Sequence, residues 1–96
     1  MSTDRHVTEI LERGAADWVA IGALYTAAHN GLRAATEFMP KYLSHTNPVV
    51  RETALFSWAN LDRSDAFEQT CQELLKDPHE SVSELAKSLI HEHPSE

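Results

Sequence analysis

Two stretches of the chain repeat one another without a gap at an offset of 32 residues, and this repeat limits the fold more than any other feature. The first is His45-Thr46-Asn47-Pro48-Val49-Val50-Arg51-Glu52-Thr53-Ala54 and the second is Asp77-Pro78-His79-Glu80-Ser81-Val82-Ser83-Glu84-Leu85-Ala86. Val50 matches Val82, Glu52 matches Glu84 and Ala54 matches Ala86. Asn47-Pro48 and Asp77-Pro78 each join a side-chain acceptor at a helix cap to a proline at the first helical position. Downstream, the stripe Val50, Thr53, Ala54, Ser57, Trp58 corresponds to Val82, Leu85, Ala86, Leu89, Ile90, and an offset of 31 adds Val19, Gly22, Ala23, Thr26, Ala27. Each set follows i, i+3, i+4, i+7, i+8, one face of an α-helix. A period of about 31–32 residues with two helices per unit is the signature of an α-solenoid.

Strand-type alternation is absent, and apolar residues recur at helical spacing nearly throughout. The pattern predicts six helices, at about 3–13, 17–29, 32–43, 48–61, 65–76 and 78–90, in a single domain over 1–96 with a polar tail at 91–96. Gly14 and Asn30-Gly31 supply the backbone freedom that helix ends favour. Asp17 and Ser64 read as N-caps. Pro40, which has no amide donor, predicts a kink or break near Phe38-Met39. The second helix is apolar on all sides (Trp18, Val19, Ala20, Ile21, Ala23, Leu24), which predicts cover from neighbours on several faces. The polar outer sides of the first and last helices predict a complete three-pair unit, since solenoid ends need such faces.

Asp77-Pro78-His79-Glu80-Ser81-Val82 and Asn47-Pro48-Val49-Val50-Arg51-Glu52-Thr53-Ala54 resemble the opening of the second helix in short HEAT repeats, of the subtype named after phycobilisome lyases. The likeness covers about residues 31–91. It implies an all-α, right-handed solenoid of about three antiparallel helix pairs. HEAT repeats commonly carry an Arg where Arg51 stands. Ser83 and Ala20 occupy the matching positions here, so a continuous Arg–Asp ladder between repeats is not expected.

The formal net charge is −7, and the eight Lys and Arg residues are dispersed. Phosphate recognition needs clustered cations, so neither nucleic acid nor an anionic membrane is an expected partner. The longest uncharged run, Trp18 to Asn30, is too short for a membrane span. No secretory signal opens the sequence, so a cytoplasmic setting is expected. Cys71, the single cysteine, lies on the stripe Phe67, Thr70, Cys71, Leu74, Leu75 and reads as a small buried hydrophobe.

No catalytic or cofactor motif is recognisable, and the expectation is a non-enzyme without a metal or cofactor. His91-x-His93 is the one close histidine pair, without a thiolate or fixed third ligand. A second stripe on the repeat-opening helices holds Leu24 and Tyr25, then Leu55 and Phe56, then Lys87 and Ser88. Either neighbouring helices cover it, or it forms a recognition patch on the concave face, edged by Arg51 and Glu52. The second alternative gives the leading functional expectation, an adaptor or regulatory subunit that binds a partner protein segment through Leu24, Tyr25, Arg51, Glu52, Leu55 and Phe56. The resemblance implies instead an accessory subunit of a tetrapyrrole lyase, and the same stripe would also serve as a homodimer interface.

Overall fold

The computed structural model describes residues 3–92. These residues are all helical, with α1 (Thr3–Arg13), α2 (Asp17–His29), a 3-10 segment (Arg33–Phe38), α3 (Met39–Leu43), α4 (Pro48–Leu61), α5 (Asp65–Leu74) and α6 (Glu80–Glu92). α2 packs on α4 and α4 on α6, so these three form a row. α1 lies on α2, α3 on α4 and α5 on α6. The extents of 41 × 28 × 17 Å fit two layers of helices, because helices about 10 Å apart occupy roughly that thickness.

Local chemistry sets most helix ends. α1 stops at Gly14, which takes φ +89° and returns its amide to the Ile10 carbonyl at 2.9 Å. Tyr42 Oη donates to the Leu11 carbonyl at 2.7 Å, and Lys41 Nζ to the Glu12 carbonyl at 3.0 Å, so the last turn of α1 keeps its hydrogen bonds. Burial at this contact raises the Tyr42 phenol above its ordinary pKa. α2 closes in a Schellman turn, with Leu32 N bonded to Ala27 O and Gly31 N to Ala28 O around Gly31 at φ +66°. At Phe38-Met39 the backbone passes from 3-10 to α geometry, with Pro40 in the first turn of α3.

Asn47 caps α4 by accepting from Val49 N at 2.9 Å, and Ser64 caps α5 by accepting from Phe67 N at 3.3 Å. Two starts differ from expectation. α2 begins at Asp17 with no side-chain cap; the carboxylate instead accepts from Asn47 Nδ2 at 2.8 Å. α6 begins at Glu80 rather than Pro78, and the His79 carbonyl accepts its first helical bonds, from Val82 and Ser83. Asp77 still accepts from His79 N at 2.8 Å, as Asn47 does from Val49 N, and Arg51 Nε and Nη2 each lie 2.9 Å from its carboxylate oxygens.

The core contains Leu11, Leu24, Met39, Val50, Leu55, Phe67 and Cys71, all fully buried. Trp58 meets Phe67 nearly edge-on with ring centroids 5.6 Å apart, and Arg63 sits over the other ring at 5.0 Å while its Nη2 donates to the Leu89 carbonyl. Cys71 lies among these side chains as a small hydrophobe. Burial, reinforced by Glu68 against a smaller opposing effect of Arg63, pushes its thiol up to about 11.

Asp17, Asn47 and Asp77, thirty residues apart, line up the starts of the helices in the row. Asn47 bonds Asp17, and His45, whose Nδ1 accepts from Asn47 N, turns Nε2 toward Asp17 at 3.3 Å. One rung further on, Arg51 bonds Asp77 through its fork while Nη1 donates to the His45 and Thr46 carbonyls. Polar contacts therefore join α2 to the residue before α4 through an amide, and α4 to the loop before α6 through a guanidinium.

Candidate interaction face

α2 touches α1 on one side and α4 on another, and this leaves a strip of it open. Trp18, Gly22, Tyr25 and His29 are all exposed there, at the i, i+4, i+7, i+11 spacing of one helix face. The matching strip of α4 holds Val49, Glu52, Phe56 and Asn60. Tyr25 and Phe56 meet across the helix boundary with ring centroids 5.8 Å apart and planes tilted by 60°. Together with Ala28, His29 and Asn60 they line a shallow groove of about 440 Å³.

Single exposed apolar side chains are ordinary, but several on adjoining helix strips are not. Trp18 is 77% exposed, Tyr25 51%, Val49 50% and Phe56 41%. On α6 the corresponding strip is polar, with Ser81, Glu84 and Ser88 in the registers of Val49, Glu52 and Phe56.

The structure divides the residues singled out in the sequence. Tyr25 and Phe56 lie on the open face and touch. Leu24 and Leu55 do not belong to it: each is one position further round its helix and fully buried, Leu24 at the seam where α2 packs on α4. Ser57 Oγ donates to the Leu24 carbonyl at 3.0 Å in the same seam. Arg51 is also withdrawn, since its guanidinium is committed to Asp77 and two loop carbonyls. Glu52 stays half-buried on the face.

Trp18 and Val49 were missed. Neighbours cover α2 on more than one face, as α1 and α4 do, but that cover does not reach Trp18. A signal was available, since Trp18 precedes Tyr25, and Val49 precedes Phe56, by seven residues, which places each pair on one face.

Among the described residues no group of three His, Cys, Asp or Glu side chains is placed to hold a metal ion. His93 of the His91-x-His93 pair, and the tail beyond it, lie outside those residues. No described helix is long and apolar enough to cross a membrane. No family model, curated protein or solved structure matches the chain.

Proposed function

We propose that the protein is a small non-catalytic interaction module, an adaptor or regulatory subunit, that holds a segment of a partner protein on the face shared by α2 and α4. In this reading the fold is a right-handed, HEAT-like solenoid of three antiparallel pairs, α1/α2, α3/α4 and α5/α6, and the face is its concave side. The row α2–α4–α6 with one helix laid on each member supports that architecture. So do the short connection between α1 and α2 and the polar rungs at thirty-residue spacing. A single buried thiol suits a reducing, cytoplasmic setting.

The observation that carries the function is the cluster of Trp18, Tyr25, Val49 and Phe56, which leaves large apolar surface in water on two adjoining helices. Interface hot spots are rich in aromatic side chains at the centre of such patches. A photo-reactive phenylalanine analogue at position 56, in the full chain expressed in its native cell, tests the reading. It should yield a discrete cross-linked protein that the same analogue at Gln72, exposed on α5, does not. Identical adducts from both positions, or none from position 56, would count against it.

A further inference from the structure

The chemistry of this face also constrains what sits on it. Glu52 and Glu84 occupy matching registers of α4 and α6, and those helices pack side by side. Neither carboxylate forms an ion pair among the described residues. Glu52 is four residues before Phe56 and three after Val49, so the acidic pair adjoins the apolar strip. Arg51, the cation next to Glu52 in sequence, is turned away to Asp77. Lys87 stands in the register of Leu24 and Leu55, to the side of the face. Across the row the surface passes from aromatic on α2, through mixed on α4, to acidic and hydroxylic on α6.

We propose that the occupant is a short basic segment of a partner protein, with one large apolar side chain in the Tyr25–Phe56 groove and a Lys or Arg on Glu52 and Glu84. The inference rests on the reading of this face as a partner-binding surface. One helical turn separates Phe56 from Glu52, about 6 Å, and neighbouring helices lie about 8–10 Å apart. A helical segment meets both features when its anchor and its cation are three or four positions apart. A second copy of the chain fits less well. Two molecules that each carry net charge −7 repel one another at close approach.

The test is selection of a random peptide library displayed on phage against the full chain, followed by affinity measurement on variants whose thermal midpoint matches wild type. The expected peptides carry a Lys or Arg within four positions of a bulky apolar residue. They should bind a Glu52→Lys, Glu84→Lys variant about tenfold more weakly, as reversal of both carboxylates that face the cation implies. Peptides with Glu in place of the Lys or Arg should regain affinity for that variant. If the peptides lose binding to a Tyr25→Ser, Phe56→Ser variant but carry no excess of basic residues, or ignore the charge reversal, the basic occupant is refuted while the interaction face stands. If no peptide is enriched, or binding survives Tyr25→Ser, Phe56→Ser, both readings fall. Self-association abolished by Phe56→Ser would replace the basic segment with a second copy.

Discussion

Asp77 receives both ends of the Arg51 fork, Nε on Oδ2 and Nη2 on Oδ1, each at 2.9 Å, with only 4% of its side chain in contact with solvent. The pair ties the start of α4 to the loop before α6. Burial alone would raise the Asp77 pKa. The Arg51 hydrogen bonds, the His79 amide and the nearby positive charge outweigh it and hold the carboxyl below its ordinary value. Asp77→Ala leaves the guanidinium without its partner, and a loss of about 2–3 kcal/mol in urea unfolding is expected. Because the folded pKa is depressed, this stabilisation is complete above the unfolded carboxyl's pKa of about 4 and fades as pH falls through the folded value. Asp77→Asn should lose that segment of the acid-unfolding curve. An unchanged curve would mean that the pair contributes nothing.

Tyr42 anchors α3 to the end of α1 through its 2.7 Å bond to the Leu11 carbonyl. Tyr42→Phe removes the donor, yet Lys41 Nζ remains 3.3 Å from the same oxygen, so the carbonyl keeps a partner. The expected cost by thermal unfolding is therefore about 1 kcal/mol, below the penalty for an orphaned buried acceptor.

Cys71 is fully buried, and its thiol is pushed up to about 11. At pH 8 only about one molecule in a thousand would hold the reactive thiolate even with free access. A chromogenic disulfide reagent should label the native protein very slowly and the urea-unfolded protein at the rate of a free cysteine. Rapid labelling of the folded chain would contradict the burial.

The Asn47-Pro48 start of α4 was legible because a cap and a proline act within a few residues, whatever lies elsewhere in the fold. Every member of the stripe Val50, Thr53, Ala54, Ser57 and Trp58 is buried, as periodicity predicted. At Asp77-Pro78 the same turn forms, with Asp77 accepting from His79 N at 2.8 Å, but the helix opens only at Glu80, and Arg51, twenty-six residues away, grips the same carboxylate. The candidate site was half legible. Tyr25 and Leu24 differ by one step round a helix, and which of them meets water depends on the angle at which α4 approaches α2, a tertiary quantity. Gly22 shows the same shift: the stripe through Val19, Gly22 and Ala23 placed it inward, and it faces solvent because Ala20 and Leu24 take the core positions.

Gly22 sits within α2, and a methyl there would meet no heavy atom within 4 Å. Replacing it with Ala removes backbone freedom from the unfolded chain and adds helix propensity. Gly22→Ala should raise stability by about 0.5–1 kcal/mol by thermal unfolding. A loss would show that the helix surface at this point is occupied.

Phe56 reaches water from the middle of the open face while Leu55 beside it fills the core, so the two positions separate binding from folding. The most direct measurement is recovery of the protein cross-linked at position 56 after affinity purification of wild type and a Phe56→Asp variant, alongside their thermal midpoints. The expected result is loss of that partner with a midpoint within a few degrees of wild type, as for a surface change of under about 1 kcal/mol. Undiminished recovery by a folded Phe56→Asp variant would contradict an interaction face built on Tyr25 and Phe56.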